Sequence, residues 1–151
     1  MKNWNKIAIA NIKSAPQPPE GYIRLSGPCE HDNIVNGDGL RAVVWTQGCP
    51  NHCPGCQNPE TWDFAAGKLV KIEDVCKELK IYPGQAGVTF CGGEPFAQPR
   101  ACREIAEIET GGKSVSAVNP DECDARCRTI SISESGNLLT TKRIGFHMIL
   151  R

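Results

Sequence analysis

Apolar runs alternate with amphipathic segments in the middle of the chain. Residues 41–47 (RAVVWTQ) and 87–91 (GVTFC) are rich in β-branched and aromatic side chains, which is typical of buried strands. The segment KIEDVCKELK, residues 71–80, repeats apolar side chains at helical spacing, and residues 99–109 do the same. This alternation predicts βαβ units with a parallel sheet and right-handed crossovers.

The two ends of the chain differ from this middle. The segment SAPQPPE, residues 14–20, holds three prolines in seven positions and predicts an extended segment. From Glu109 onward the sequence is polar, rich in Ser and Thr, and weakly periodic. We therefore divide the chain into a flexible lead-in at 1–20, a core at 21–108 and a divergent tail of uncertain structure at 109–151.

Length and charge narrow the classes of function. A chain of 151 residues is the size of one domain. Lys and Arg number 17, as do Asp and Glu, so no net field attracts a nucleic acid or an acidic membrane. No apolar run approaches the roughly 18–20 residues of a membrane span, and Asn11 interrupts the early apolar stretch where a signal peptide would need its core. We expect a cytoplasmic protein without a membrane or nucleic-acid partner.

Nine cysteines change this picture. In a reducing compartment, clustered cysteines bind metal or do chemistry more often than they form disulfides. Cys49, Cys53 and Cys56 follow the first strand directly, with the spacing C-x3-C-x2-C. Iron-sulfur clusters are commonly held by four thiolates, so three would leave one metal position open for a ligand. The alternative is a structural zinc loop, with His52 or Cys29 as the fourth ligand.

A second motif, Cys91-Gly92-Gly93-Glu94-Pro95, ends the second strand. The carboxyl ends of parallel strands meet at one edge of a sheet, so we expect this motif to lie beside the cysteine loop. Paired glycines let backbone approach a ligand closely, and a carboxylate can bind a cationic amine. The alternative is a tight turn that starts a helix, with Pro95 in its first turn.

Three segments together resemble a known family. They are IVNGDGLR (34–41), WTQGCPNHCPGCQNPETWDF (45–64) and GVTFCGGEPFAQP (87–99). Over roughly residues 22–108 the chain is similar to the radical S-adenosylmethionine superfamily, and within it to the activating enzymes of glycyl-radical proteins. The Pro54-Gly55 pair makes it most similar to the activators of anaerobic ribonucleoside-triphosphate reductase.

The resemblance implies an α/β fold, a partial (β/α) barrel of the radical S-adenosylmethionine type. Because the tail lacks the family's further patterns, this barrel could be incomplete at its C-terminus in this chain. It implies that three cysteines bind three irons of a 4Fe-4S cluster: Cys49, Cys53 and Cys56. The fourth iron would bind S-adenosylmethionine, the second cofactor. The residues implied at its methionine amino end are Gly92, Gly93 and Glu94. Those implied against its nucleoside are Gly55, Cys56 and Gln57.

The activity that the resemblance implies is an oxidoreductase activity. Such an enzyme would cleave S-adenosylmethionine reductively and generate a glycyl radical on the large subunit of anaerobic ribonucleoside-triphosphate reductase, with flavodoxin or ferredoxin as electron donor. One alternative is the activation of another glycyl-radical enzyme, such as pyruvate formate-lyase. Another is a truncated, non-catalytic iron-sulfur or zinc module, since the tail lacks the further strand and helix patterns of the family.

Two departures from the family lie inside the matching region. Asp38 stands where the family usually has proline, and Cys91 replaces a Ser or Thr and could act as an adventitious iron ligand. The cysteines outside the cluster motif receive no committed role; they are Cys29, Cys76, Cys91, Cys102, Cys123 and Cys127. We expect Cys76 and Cys102 to be packing residues, and the favoured interpretation of Cys123 and Cys127 is a tail helix, with half a metal site as the alternative.

The sequence also suggests roles for two further side chains, Trp62 and Arg41. Trp62 is expected to pack beside the cysteine loop. Arg41 either positions a partner or remains a solvated charge at the end of its strand.

Overall fold

The structure, a computed structural model, describes residues 10–36, 39–81, 84–109, 128–133 and 138–142. Within these residues, seven strands form one mixed sheet that curls into a half-barrel. The strands are β1 (Tyr22–Leu25), β2 (Glu30–Asn33), β3 (Arg41–Thr46), β4 (Lys68–Lys71), β5 (Gly87–Gly92), β6 (Arg128–Ser133) and β7 (Leu138–Lys142). The helices described in full are α1 (Ile72–Ile81) and α2 (Pro99–Glu109). No helix in the described ranges is long and apolar enough to cross a membrane.

The predicted parallel pair is at the centre of this sheet. β3 and β5 run parallel in a register that places Trp45 beside Cys91 and Thr46 beside Gly92. The chain passes from β3 to β5 through the cysteine loop, β4 and α1. Both strands therefore end at the same edge, and the two predicted motifs leave the sheet side by side.

The prediction of a parallel sheet is wrong for the other strand pairs. The order is β4-β1-β3-β5-β6-β7, with β2 also on β3, and every pairing except β3 with β5 is antiparallel. Short links join β1 to β2 and β2 to β3, and such links cannot make the long crossover that a parallel neighbour needs. The fold is accordingly mixed α/β, with one βαβ crossover inside an otherwise antiparallel sheet. Strands β6 and β7 lie within the tail, at 109–151.

The hydrophobic core lies between the central strands and the two helices. Val44 and Phe90 project from β3 and β5, and Ile72, Val75 and Ile105 project from the helices; each is at most 2% exposed. Ile72, Val75 and Ile105 are among the positions that the helical periodicity predicted, whereas Ile108, at the same spacing, is 41% exposed. Burial of a large apolar side chain contributes roughly 1.5–3 kcal/mol, so this contact holds both helices against the central strands.

The described part of the predicted lead-in, residues 10–20, packs against this domain. Residues 10–13 are helical, and Ile12 and Ala15 are buried. Gln17 Nε2 donates a hydrogen bond to the Ala97 carbonyl at 2.7 Å, and Arg100 Nη2 donates one to the Pro18 carbonyl at 2.8 Å. The segment therefore contacts the structure that follows the second motif.

Arg41 has a different role from either one predicted. The residue is 4% exposed, so it is neither solvated nor available to a partner. Its Nε donates to Thr89 Oγ1 at 2.6 Å and its Nη2 donates to the Val88 carbonyl at 3.0 Å. The guanidinium thus ties the start of β3 to β5.

Candidate metal centre

The cysteine loop closes on itself immediately after β3. Gly48 N donates to the Thr61 carbonyl at 2.8 Å, and Cys49 N donates to the Trp62 carbonyl at 3.1 Å. Gly48 has φ +100°, and a Cβ there would collide with the ring of Phe64. Glycine is required because the left-handed backbone and the close ring both exclude a side chain. The ends of the loop are therefore fixed, with the three predicted cluster ligands between them.

The three thiols of this loop are partly exposed, and none is in a disulfide. Burial raises the pKa of the Cys49 thiol to about 12; the backbone N–H of Asn51 opposes this shift, and the charges of Glu94, Cys53 and Cys56 add to it. The loop and Glu94 are therefore electrostatic neighbours. Cations would reverse this balance, since coordination deprotonates a thiol.

The donor set fits a cluster better than a single ion. In the described part of the chain, no group of three His, Cys, Asp or Glu side chains is arranged to hold one metal ion. A structural zinc needs four ligands that converge on one point. In a 4Fe-4S cluster each thiolate ligates a different iron, so its thiolates stand farther apart. Three partly exposed thiols in one loop, none of them in a disulfide, could supply three of the four thiolates that commonly hold such a cluster.

Glycines 92 and 93 dock the second motif onto the first. Gly93 N donates to the Thr46 carbonyl at 2.8 Å, and Glu94 N donates to the Gly48 carbonyl at 2.9 Å. A Cβ on Gly92 would lie 2.6 Å from Thr46 O, and one on Gly93 would lie 2.5 Å from Gly48 O. The close approach that these glycines permit is thus between two backbones, in addition to any approach to a ligand.

Glu94 is buried at the junction of the two motifs. It is 1% exposed, and its Oε1 accepts a hydrogen bond from Phe96 N at 3.0 Å, which caps the 3₁₀ helix Pro95–Ala97. Its Oε2 accepts one from Asn51 Nδ2 at 3.3 Å. The carboxylate is therefore held in a fixed orientation beside the cysteine loop, where low dielectric strengthens its attraction for a cation.

The structure brings the cluster cysteines and the second motif together. The residues predicted to lie against the nucleoside are on the solvent-exposed part of the loop. Gly55 and Gln57 are exposed and Cys56 is partly exposed; Gly55 has φ +74°, and a Cβ there would meet nothing within 4 Å. His52, also in the loop, stacks on Trp62 with ring centroids 4.7 Å apart. The expectation that Trp62 packs beside the cysteine loop is confirmed.

Gln98 and Asn51 are structural contacts of this site to which the sequence assigned no role. Gln98 is 1% exposed; its Nε2 donates to the carbonyls of Arg24 and Gln47, both at 2.9 Å, and its Oε1 accepts from Arg24 N at 2.8 Å. It therefore joins β1 to the residue that precedes the cysteine loop. The signal for Gln98 was its position four residues after Glu94, inside the matching segment.

The contacts of Cys29 are with the hydrophobic core and α1, which does not support it as the fourth zinc ligand of the alternative interpretation. It lies in the hydrophobic core. Burial raises its pKa to about 12, and Glu78 and Cys76 add to the shift, which places it beside α1. His31 accompanies it, with Nε2 3.8 Å from Glu78 Oε1.

The other described cysteines are buried. Cys76 and Cys102 belong to the hydrophobic core, as expected of packing residues. Cys91 is 1% exposed, and its Sγ lies 3.9 Å from Asn36 Oδ1, on the opposite strand face from the core residue Phe90. Three residues discussed above, Asp38, Cys123 and Cys127, lie outside the described residues, as does His147.

Comparison with known proteins decides the family. The sequence profile of the 4Fe-4S single cluster domain family matches residues 35–117, more than half of the chain. The chain belongs to the 4Fe-4S single cluster domain family. The matched range contains the cysteine loop, both helices and the second motif.

Curated relatives extend this assignment. A pyruvate formate-lyase-activating enzyme of Clostridium pasteurianum is 40% identical over 84 residues, which cover 52% of this chain and 35% of that enzyme. The pyruvate formate-lyase 1-activating enzyme of Escherichia coli is 39% identical over 80 residues, which cover 50% and 32%. The enzyme of Staphylococcus aureus is 35% identical over 85 residues, which cover 52% and 34%. The chain thus matches about a third of the length of these relatives.

The family and its relatives support membership of the radical S-adenosylmethionine superfamily of glycyl-radical activases, as the motifs predicted. They imply a 4Fe-4S cluster and S-adenosylmethionine as cofactors. These relatives are named for pyruvate formate-lyase, whereas Pro54-Gly55 indicated the reductase activators. The more specific resemblance therefore has no support from them.

Proposed function

We propose that this chain is the activating enzyme of a glycyl-radical protein. The observation that carries the proposal is the docking of the two motifs. Hydrogen bonds from Gly93 N to Thr46 O and from Glu94 N to Gly48 O place a buried carboxylate beside the cysteine loop, whose three thiols are not in disulfides. A metal loop of purely structural function would not require a buried carboxylate fixed at its side.

The proposed ligands of the 4Fe-4S cluster are Cys49, Cys53 and Cys56. When bound, the cluster supplies the electron for reductive cleavage of the sulfonium of S-adenosylmethionine. Three protein ligands leave one iron for this cofactor.

The second motif would then bind the methionine end of the cofactor. Glu94 offers its carboxylate to the amino group, since charge-assisted hydrogen bonds are among the strongest in proteins. Gly92 and Gly93 are proposed to let the backbone of this motif approach the cofactor closely. Gly55, Cys56 and Gln57 are proposed to lie against the nucleoside, on the exposed side of the loop, where burial by the cofactor would exclude water.

Pyruvate formate-lyase is the proposed target of the radical. The support is that the relatives at 35–40% identity are named as activators of that enzyme. Anaerobic ribonucleoside-triphosphate reductase is the second candidate, favoured by Pro54-Gly55 within the cysteine motif. With 17 basic and 17 acidic residues, a protein partner is a better candidate than a nucleic acid. We place the reaction in the cytoplasm, with flavodoxin or ferredoxin as electron donor.

The cleavage reaction tests the proposal. Full-length protein is reconstituted anaerobically with iron and sulfide, reduced, and incubated with S-adenosylmethionine, and 5'-deoxyadenosine is quantified by chromatography. We expect the product from the parent and none from Cys53→Ala, which should also lose iron. The matched control is Cys76→Ala, which removes a buried thiol of α1 outside both motifs and should retain both the product and the iron. A loaded cluster without 5'-deoxyadenosine would instead favour the non-catalytic module.

The target is tested separately. The reconstituted chain is mixed with pyruvate formate-lyase or with the anaerobic reductase, and the glycyl radical is measured by electron paramagnetic resonance. We expect the signal with pyruvate formate-lyase. A signal with the reductase alone would reassign the target and leave the cleavage chemistry intact.

A further inference from the structure

Asn51 is the side-chain link between the two motifs. It lies between Cys49 and Cys53, and its Nδ2 donates to Glu94 Oε2 at 3.3 Å. The residue is half-buried, and its partner is 1% exposed. An ionised carboxylate has no hydrogen-bond donor and can only accept, so the amide nitrogen of Asn51 is the atom that must face Glu94. Asn51 therefore helps to fix the direction of the carboxylate.

The backbone of the same residue contacts a proposed cluster ligand. The Asn51 N–H lies beside the Cys49 thiol and lowers its pKa, against the effect of burial. One residue is thus joined through its main chain to the metal loop and through its side chain to the amine-binding carboxylate. A shift of Asn51 would move one relative to the other.

The other side-chain atom of Asn51 has an unmet hydrogen-bonding capacity. Its Oδ1 is buried and has no hydrogen-bond partner among the described residues. Buried acceptors are nearly always paired, because leaving one unpaired forfeits its hydration. The atom shares its amide group with the nitrogen that contacts Glu94. A primary ammonium offers three N–H donors and carries the charge that Glu94 attracts.

We propose that Asn51 recognises the α-amino group of S-adenosylmethionine, with Oδ1 accepting one N–H while Nδ2 orients Glu94 to accept another. The inference rests on the proposed function and adds to it a binding residue within the cysteine loop. It predicts that Asn51 contributes to the affinity for the amino end of the cofactor without being needed for cluster assembly.

The test measures the Kd of S-adenosylmethionine by equilibrium dialysis with cluster-loaded, full-length protein. Asn51→Leu removes both polar atoms at similar volume, and we expect Kd to rise about 10–100-fold, the effect of losing a hydrogen bond to a charged group. Iron and sulfide per chain should match those of the parent. Asn58→Leu is the matched control, because Asn58 is a half-buried residue of the same loop whose side chain does not cap the following helix; its Kd should be unchanged.

Two comparisons separate recognition from a structural role. Asn51→Asp keeps an acceptor for the ammonium, so this variant should bind S-adenosylmethionine much more tightly than Asn51→Leu does. If Asn51 only linked the two motifs, both variants should lose affinity for S-adenosylmethionine, because the new carboxylate would repel that of Glu94. With an analogue in which hydrogen replaces the α-amino group, parent and Asn51→Leu should have equal Kd values.

Several results would overturn the inference. Equal S-adenosylmethionine affinity in parent and Asn51→Leu would remove Asn51 from the site while leaving the proposed function standing. Loss of the cluster in both Asn51 variants would assign the residue to loop folding. A cluster-loaded parent that binds no S-adenosylmethionine would refute the proposed function itself, and the inference with it.

Discussion

Replacing Gly93 by alanine tests the docking of the two motifs by adding one methyl group. Its Cβ would lie 2.5 Å from Gly48 O, 3.0 Å from Gly48 C and 3.1 Å from Gly48 N. All three atoms are backbone, so no side chain can rotate away. The second motif must therefore move off the cysteine loop.

The cost follows from what this movement breaks. The Gly93 N to Thr46 O and Glu94 N to Gly48 O hydrogen bonds, at 2.8 and 2.9 Å, are the backbone contacts that hold the junction. Each contributes about 0.5–1.5 kcal/mol net, and overpacking a well-packed site adds about 1–3 kcal/mol, so Gly93→Ala should lower the free energy of unfolding by about 2–6 kcal/mol. That is a large fraction of the roughly 5–15 kcal/mol of an ordinary domain.

The assay is urea unfolding of the apoprotein under anaerobic, reducing conditions, followed by circular dichroism. Gly27→Ala is the control, because a Cβ there meets nothing within 4 Å and its φ lies outside the left-handed range. That variant should be unchanged or more stable by up to about 1 kcal/mol, through the entropy of the unfolded chain. If Gly93→Ala were as stable as Gly27→Ala, the motifs would not be docked as described.

The remaining predictions concern buried polar groups. Gln98→Leu should lower the free energy of unfolding by about 3 kcal/mol or more, because it leaves three backbone groups unpaired, at about 1–3 kcal/mol each. Urea unfolding should show a much smaller effect for the half-buried Gln85→Leu, because the hydrogen bonds of Gln85 with Asp32 lie at the surface. Burial raises the thiol pKa values of Cys29 and Cys76 from 9.0 to about 12. Between these pH values the thiols ionise in the unfolded chain but stay neutral in the folded one, so the stability that is fully present below pH 9 is lost as the pH rises toward 12. Urea midpoints of the apoprotein should fall over this range, and less steeply in Cys29→Ala; a flat profile would contradict the burial of these thiols. Arg41→Met should destabilise the apoprotein by about 1–3 kcal/mol in the same assay, since it unpairs buried acceptors on β5, and a neutral effect would contradict its assignment as a buried tie.

The central elements could be predicted because their signals are local. The apolar run at 41–47 became β3 at Arg41–Thr46, and residues 99–109 became α2 with the same bounds. The two motifs meet because parallel strands end at one edge, a rule of topology that needs no coordinates. The position of the candidate site therefore followed from two strands and their order.

The edge strands could not be predicted in the same way. β2 reads EHDN and β4 reads KLVK, four residues each, too short and too polar for a period to be visible. Their pairing is set by tertiary register, such as Lys68 of β4 beside Leu25 of β1 and Glu30 of β2 beside Val43 of β3. The parallel prediction failed here because it extended one βαβ unit to the whole sheet.

The chemistry of the site divides in a similar way. The spacing of the cysteines and the GGEP sequence identify candidate ligands, since those residue types are needed wherever the fold places them. Asn51 and Gln98 escaped notice because a polar side chain gains its role from its partner, which is 43 residues away for Asn51 and up to 74 for Gln98. The paired glycines were expected to admit a ligand, and the structure shows that they also admit the backbone of Gly48.

The most direct test of the account is electron paramagnetic resonance of the reduced, reconstituted chain with and without S-adenosylmethionine, combined with metal analysis. The account predicts about four irons per chain, the spectrum of a single 4Fe-4S cluster, and a change in that spectrum when the cofactor binds the open iron. A chain that carries zinc instead of iron, or a cluster spectrum that S-adenosylmethionine leaves unchanged, would contradict it.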